Sequence, residues 1–140
     1  MSTEQNNATA KRIVEEVMNN KNVDLLGQFA APGAIEHAAP PGEKPNLEST
    51  KKSLTDLFTA FPDLKYTIEF TVAEGDKVVQ YATVNGTMKG SLNGMPASGK
   101  NATWNEIHIT RFDKNGKVAE HWANIDQMSM LQQLGFMPSK

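Results

Sequence analysis

The amino-terminal part of the chain carries three stretches in which apolar side chains recur at helical spacing. In residues 8–18 they lie three and four positions apart, which predicts an amphipathic helix, and the polar residues 1–7 are expected to fray. A second, short helix is predicted for residues 23–29. A third follows Asn46 or Ser49, either of which can cap it, and its inward side chains are Leu47, Leu54, Leu57, Phe58 and Phe61.

Later in the chain the apolar pattern becomes that of extended strands. Four strands are predicted, at residues 65–73, 77–89, 101–112 and 117–125. The tight-turn sequence Lys114-Asn115-Gly116 joins the last two strands. A closing helix over residues 127–134 ends at Gly135, a residue type suited to that position. A short extended segment at residues 34–37 precedes a loop at residues 38–45 that is rich in proline.

Helices come first and hairpin-connected strands follow, which is typical of α+β proteins with segregated elements. We therefore predict helices packed on the concave face of a strongly curved antiparallel sheet. Such an arrangement forms a cone whose mouth can hold a ligand. No repeat or low-complexity segment divides the chain, so residues 1–140 are expected to form one domain.

Composition narrows the possible functions. The 140 residues carry 14 Lys and Arg against 16 Asp and Glu, and no basic run favours binding to nucleic acid. Cysteine is absent, which excludes disulfides, zinc–thiolate sites and a cysteine nucleophile. The N-terminus lacks the pattern of a signal peptide and no apolar run is long enough to span a membrane. We therefore expect a soluble, cytoplasmic protein.

The end of the last predicted strand carries the first candidate for catalysis. Successive strand residues point to opposite faces, so Glu120, Trp122, Asn124 and Asp126 share a face. A carboxylate beside an indole ring can line a pocket in which its proton affinity is raised, and Asp126 is therefore a candidate general acid or base. Asp126 is equally well placed to cap the following helix, and the two roles are compatible.

Two histidines are further candidates. His108 has the strand parity of Trp104 and Glu106, and this face is either a polar-lined pocket or an exposed part of the sheet. His37 precedes the proline-rich loop, where it either gates a pocket or lies at the surface. His121 has the opposite parity to the tryptophan and aspartate of its own strand, so it is left out of the site.

Ile107 and Ile109 lie on the opposite face of their strand from His108. Helices on one side of the sheet cannot cover this apolar surface, and exposed patches of this kind usually mark interfaces. A homodimer through the outer face of the sheet is therefore expected.

The sequence lacks the metal-binding and nucleophile motifs that can be recognised from spacing. It has no HExxH pair, no G-x-S-x-G elbow and no phosphate-binding glycine loop, and its three histidines are widely separated. Neither a metal ion nor another cofactor is expected.

Several short runs of residues occur in a characteristic order. They are Phe61-Pro62-Asp63-Leu64, Glu74-Gly75-Asp76-Lys77-Val78-Val79, Gly94-Met95-Pro96-Ala97-Ser98-Gly99-Lys100 and Leu131-Gln132-Gln133-Leu134-Gly135. In order and spacing they resemble the SnoaL-like polyketide cyclase (ester cyclase) family of the NTF2-like superfamily. The resemblance covers nearly the whole chain from about Ile35 onward. It implies the α+β cone, and dimers that pair through the convex face of the sheet.

The resemblance also implies an activity, which is the closure of a ring in an aromatic polyketide by intramolecular aldol condensation. An aspartate acts as acid and base in this reaction, without a metal. By position, Asp126 matches that carboxylate, while His37 and His108 match histidines of the family. The side chains expected to contact an apolar small-molecule substrate are Trp122, Trp104, Met88, Tyr81 and Phe61.

The chain departs from the family pattern at two positions. Met88 stands where many relatives have a histidine, and Tyr81 where many have an arginine, which makes the pocket more apolar. Two functions therefore remain open. One is a cyclase- or isomerase-type enzyme, and the other is a non-catalytic domain that binds a small ligand or dimerises. Epoxide hydrolysis needs an Asp-Arg-Asp arrangement, and Arg12 and Arg111 have no evident partners for it.

Overall fold

Helices precede strands in the folded chain. Residues 2–138, which a computed structural model describes, form α1 (Thr3–Arg12), a π-helical segment (Ile13–Asn19), a 3₁₀ turn (Val23–Leu25), α2 (Leu26–Phe29), β1 (Ala30–Glu36), α3 (Leu47–Ala60), β2 (Lys65–Glu74), β3 (Lys77–Thr87), β4 (Asn101–Phe112), β5 (Val118–Ile125) and α4 (Gln127–Leu134). This order confirms the predicted α+β class.

Within the described residues the strands form one five-stranded sheet in the order β1-β5-β4-β3-β2. Strands β2 to β5 pair antiparallel, as predicted, and register shifts in β2 and at the end of β4 bend the sheet. Strand β1 runs parallel to β5, so the sheet, which was predicted as antiparallel, also contains one parallel pair. The long connection between these two strands, which includes α3, makes a parallel pair possible.

Strand β1 begins at Ala30, whereas the sequence predicted extended chain only for residues 34–37. The first part of the strand was not predicted because it contains Pro32 and Gly33, two residue types that usually mark turns. Proline is tolerated at the edge of a sheet, where its missing N–H faces no partner, and β1 is an edge strand.

Helix α1 begins earlier than residue 8, where the apolar pattern placed it. The Gln5 N–H donates to Ser2 Oγ at 3.1 Å, and the Ser2 N–H donates to Gln5 Oε1 at 2.9 Å. This reciprocal capping box satisfies two free N–H groups of the first turn. The predicted fraying of residues 1–7 is therefore wrong for residues 3–7, which are helical. Residue 1 lies outside the described residues.

Later helix ends follow the predicted signals. The Ser49 N–H donates to Asn46 Oδ1 at 3.0 Å, so Asn46 is the cap of α3. Gly135 ends α4 with a φ of +91°, a left-handed conformation that glycine adopts without a Cβ clash.

The helices pack on one face of the sheet, and the core lies between the two layers. Its fully buried members include Phe61, Leu64, Val84, Met88 and Leu134. Much of the outer face of the sheet is exposed, since Phe70 and Val72 are each 57% exposed and Ile107 is 38% exposed. No helix within residues 2–138 has both the length and the apolar character needed to cross a membrane.

Candidate active site

The pairing of β4 with β5 determines which candidate residues share a face. His108 lies opposite Ala123, and Ile109 lies opposite Trp122. Residues opposite each other in a ladder point to the same side, so His108 faces the helices and Trp122 faces outward. The catalytic candidate His108 and the substrate-binding candidate Trp122 therefore lie on opposite faces of the sheet. The alternation of side chains within one strand could not predict this arrangement, because alternation does not define the register between strands.

Four titratable side chains form a continuous row on the helix-facing side of the sheet. This inner row consists of Glu106 and His108 of β4, His121 of β5 and Glu36 of β1. His108 Nε2 lies 2.7 Å from Glu106 Oε1, and His108 Nδ1 lies 3.0 Å from His121 Nε2. His121 Nδ1 lies 2.7 Å from Glu36 Oε2. All four ring nitrogens of the two histidines are thus engaged within the row.

The strand registers assemble the inner row. Glu106 and His108 are two positions apart and share a face, while His121 lies opposite Thr110 on that same face. Glu36 lies directly opposite His121 in the parallel ladder. Glu106 is only 4% exposed, whereas the side chains of His108, His121 and Glu36 are 19%, 24% and 17% exposed. The row therefore runs from a buried carboxylate to a more accessible one.

Aromatic side chains surround the buried end of the row. Trp104 Nε1–H donates to Glu106 Oε2 at 2.7 Å, and the Phe61 ring meets the Trp104 ring edge-on. The Tyr66 ring lies 6.2 Å from that of His108 between centroids. Burial raises the pKa of Tyr66 well above 10.0, and the negative charge of Glu106 is a second, smaller cause of this increase. Its hydroxyl therefore stays protonated and can donate a hydrogen bond.

An exposed apolar side chain lies beside the inner row. Ile125 of β5 lies opposite Glu106 in the ladder and is 48% exposed. Apolar surface next to a few polar groups is the usual composition of a small-molecule site.

His37 belongs to a different cluster, on the outer face. Its ring stacks on that of Trp122, with 4.8 Å between centroids and 7° between planes. His37 Nε2 lies 2.8 Å from Glu120 Oε2, and Arg111 Nε donates to Glu120 Oε1 at 2.6 Å. The hydrogen bonds from His37 and Arg111 lower the pKa of Glu120. His37 and His108 are therefore not brought together.

An open groove of 520 Å³ lies on the outer face and is lined by His37, Lys77, Ile107, Ile109, Trp122, Ala123 and Asn124. It contains two of the candidate residues but no member of the inner row. The volume of the groove favours a ligand on the outer face, whereas the row of two carboxylates and two imidazoles lies on the other face. Groups of these types are the ones that transfer protons in general acid–base catalysis.

Asp126 is exposed and acts as the cap of α4. The Ser129 N–H donates to Asp126 Oδ1 at 3.2 Å, and the Asp126 N–H donates to the Asn105 carbonyl at 3.0 Å. The capping role is thus seen directly, while a role of Asp126 in proton transfer stays a prediction.

The remaining candidates lie in the core or on the outer face. Met88 and Phe61 are fully buried in the core, and Trp104 is 3% exposed. Tyr81 lies opposite Ile107 on the outer face, and its ring stacks on Phe70 at 5.1 Å between centroids. Of these side chains only Trp104 contacts the inner row.

Sequence reasoning did not select four residues of this region: Glu106, His121, Glu36 and Tyr66. His121 was left out because its parity was compared with residues of its own strand, which face outward. Glu36 precedes His37 in a segment whose partner strand was unknown. Only the β1–β5 and β4–β5 registers place these groups beside His108. Within residues 2–138, no three His, Asp or Glu side chains are arranged to hold a metal ion.

Comparison with curated proteins finds relatives over most of the chain. Aklanonic acid methyl ester cyclase DauD of Streptomyces sp. (strain C5) is 30% identical over 130 residues, covering 89% of this chain and 78% of DauD. Aklanonic acid methyl ester cyclase DnrD of Streptomyces peucetius is 29% identical over 130 residues, covering 89% of this chain and 87% of DnrD.

Solved structures show the same fold. TsrD from Streptomyces laurentii superposes with a TM-score of 0.87 at 23% identity, over 98% of this chain and 99% of TsrD. The family described as SnoaL-like polyketide cyclase matches residues 8–134, which is nearly the full length of the chain. On this match, and on the similarity to DauD, the protein belongs to the SnoaL-like polyketide cyclase family.

Proposed function

We propose that the protein is a cyclase-type enzyme that closes a carbon ring in a small apolar carbonyl compound by proton transfer at the inner row. The inner row carries the proposal, because it is a hydrogen-bonded set of two carboxylates and two imidazoles beside the exposed apolar side chain of Ile125. The relatives DauD and DnrD are cyclases of a methyl ester, which makes carbonyl esters of this kind the first compounds to test.

Glu36 is the member of the row that is free to contact a substrate. Both ring nitrogens of His108 and of His121 are engaged, and Glu106 is buried with its oxygens bonded to His108 and Trp104. A carboxylate can accept about four hydrogen bonds. Glu36 accepts from His121 and from the N–H of the nearby loop residue Ala38, which leaves room for a further partner.

The reaction that fits this site is an intramolecular aldol addition. Glu36 removes a proton from a carbon between two carbonyl groups, and the C–H electron pair becomes an enolate. The enolate carbon then bonds to a second carbonyl carbon of the same molecule. Glu36 returns the proton to the alkoxide oxygen that this step creates, so the product is an isomer of the substrate. The neutral hydroxyl of Tyr66 beside the row is of the donor type that stabilises an oxyanion.

The two departures from the family pattern lie away from this chemistry. Met88 is fully buried in the core, and Tyr81 is on the outer face against Phe70. Within residues 2–138 no hydrogen bond joins either side chain to the inner row, so neither change removes a group on which the proposed reaction depends.

The test is a search for ring closure in apolar β-dicarbonyl compounds and methyl esters of small polyketides. The wild-type protein is expected to convert at least one of them into an isomer of equal mass. Glu36→Gln should slow this conversion by roughly 10²–10⁴, the usual contribution of a general base. Glu120→Gln is the matched control, because Glu120 also bonds a histidine at 2.8 Å but on the opposite face of the sheet.

Two outcomes would overturn the proposal. One is tight binding of these compounds without any conversion, which would identify a non-catalytic binding domain. The other is a conversion that Glu120→Gln abolishes and Glu36→Gln does not, which would place the chemistry in the outer groove.

We also propose that two copies of the chain pair through the outer face of the sheet. Support comes from the apolar side chains exposed there, with Phe70 and Val72 each 57% exposed beside the stacked Tyr81. The open groove containing Ile107 and Ile109 continues this surface. Association of a second copy would remove it from water.

A further inference from the structure

The inner row contains three hydrogen bonds in series, and each requires one proton. The contacts are Glu106–His108, His108–His121 and His121–Glu36, with separations of 2.7, 3.0 and 2.7 Å. If both carboxylates are ionised and both histidines neutral, the row holds two protons, and one contact brings two lone pairs together. Three protons satisfy all three contacts, and the row then carries a net charge of −1.

Three protons can occupy the row in more than one way without rotation of any ring. With Nε2 of His108 and Nδ1 of His121 protonated, the third proton lies between the two rings, on either His121 or His108. With the third proton on His108, its Nε2 proton can also pass to Glu106. Apart from Glu36 itself, the excess proton thus has three positions along one line of hydrogen bonds.

We propose that the inner row is a proton relay which sets the basicity of Glu36 during the reaction. This inference rests on the proposed function, because it assigns Glu36 the contact with substrate. When the shared proton is on His121, the adjacent positive charge makes Glu36 a weaker base. When that proton moves to His108 or Glu106, the charge is farther away and Glu36 becomes a stronger base.

The relay matches the two halves of the aldol reaction. Glu36 accepts the carbon-bound proton while the shared proton is near Glu106. After the carbon–carbon bond has formed, the shared proton returns to His121, and protonated Glu36 becomes a better donor to the alkoxide. The row contains the same number of protons before and after the cycle, and no co-reactant is consumed.

The surroundings of the buried end support this assignment. The indole N–H of Trp104 donates to Glu106 Oε2 at 2.7 Å, while Glu106 Oε1 lies 2.7 Å from His108 Nε2. Tyr66 of β2 is a further titratable group beside the row, and its protonated phenol adds no charge there. Glu106 Oε1 is therefore the oxygen to which a proton can pass at the buried end of the row.

The proton count can be measured without a substrate, by NMR of protein labelled with ¹⁵N in its three histidines. At neutral pH, His108 should be protonated at Nε2 and His121 at Nδ1, with a third, low-field proton shared between the two rings. Glu36→Gln should reduce the population of this shared proton about tenfold, because it removes a charge-assisted acceptor. Glu120→Gln should change only the His37 signals, since Glu120 bonds His37 on the outer face.

The spectrum of the wild-type protein is decisive even if a variant fails to fold. Two neutral histidines with no shared proton would overturn the relay. So would a shared proton that survives unchanged in folded Glu36→Gln. Ring closure by a protein without the shared proton would remove the relay and leave the proposed function. A shared proton in a protein that converts no compound would overturn the proposed function and leave only the proton arrangement of the row.

Discussion

His108 and His121 face each other across the β4–β5 ladder, with 3.0 Å between Nδ1 of the first ring and Nε2 of the second. Each ring uses its other nitrogen to reach a carboxylate, so the pair is held between Glu106 and Glu36. The contact between the two rings can hold one proton, which either imidazole can carry. The chemistry of this face therefore belongs to the set of four groups rather than to one histidine.

Asp126 is expected to act as a helix cap and to be dispensable for catalysis. Asp126→Ala should lower the free energy of unfolding by about 1 kcal/mol, because the Ser129 N–H loses its acceptor. Asp126→Asn should cost less, since an amide oxygen can still cap the helix, and it should retain activity. Urea unfolding and the ring-closure assay measure the two effects. An Asn variant that folds normally but is inactive would restore Asp126 as the acid and base.

Tyr66 should make the protein sensitive to alkaline pH. Burial and the charge of Glu106 raise the pKa of Tyr66 above its unfolded value of 10.0. Its contribution to stability is therefore complete below pH 10 and is lost as the pH rises toward the folded pKa. Tyr66→Phe removes this dependence, so the free energy of unfolding should fall less steeply above pH 10 than in the wild type. Urea unfolding at several alkaline pH values would show it, and identical slopes would contradict it.

Gly90 should not tolerate a side chain. A Cβ atom at this position would lie 2.9 Å from the Thr59 carbonyl oxygen and 3.2 Å from the Ala60 Cα, and both are backbone atoms. Gly90→Ala should therefore lower the free energy of unfolding by roughly 1–3 kcal/mol. Gly33→Ala is the control, because no atom lies within 4 Å of its added Cβ. Equal thermal stability of the two variants would show that the loop around Gly90 packs differently.

The outer face should hold two copies together in solution. Light scattering should report twice the chain mass of 15.4 kDa at micromolar concentration. Ile107→Glu should give a folded monomer, because Ile107 is part of the apolar outer surface and an uncompensated charge opposes its burial. Thr55→Glu, on an exposed position of α3, should remain a dimer. A wild-type monomer would remove the proposed interface.

Local signals explain which parts of the fold were predictable. The cap at Asn46, the glycine after α4 and the alternating pattern of β4 each depend on residues close in sequence, and each prediction was right. Strand β1 was only partly predicted, because its parallel pairing with β5 depends on a strand more than 80 residues away. From the sequence alone, Pro32 and Gly33 were compatible with a turn, and only the pairing with β5 shows that they belong to a strand.

The site was less predictable than the fold for the same reason. Alternation within β5 correctly grouped Trp122 with Glu120, but it could not show that this group faces outward. Whether His108 and His121 lie on the same face depends on the register between their strands. A shift of one residue in this register would place them on opposite faces. Of the residues selected for catalysis, only His108 lies in the inner row, and that role for it remains a prediction.

Proton abstraction at the inner row is most directly tested by hydrogen–deuterium exchange, in D₂O, at the carbon between the two carbonyls of a bound β-dicarbonyl compound. This measurement reports the first proton transfer alone and does not require ring closure. We predict that the wild-type protein accelerates the exchange, that Glu36→Gln slows it by roughly 10²–10⁴, and that Asp126→Asn leaves it within about twofold. Exchange that is lost in Asp126→Asn and unchanged in Glu36→Gln would contradict the account.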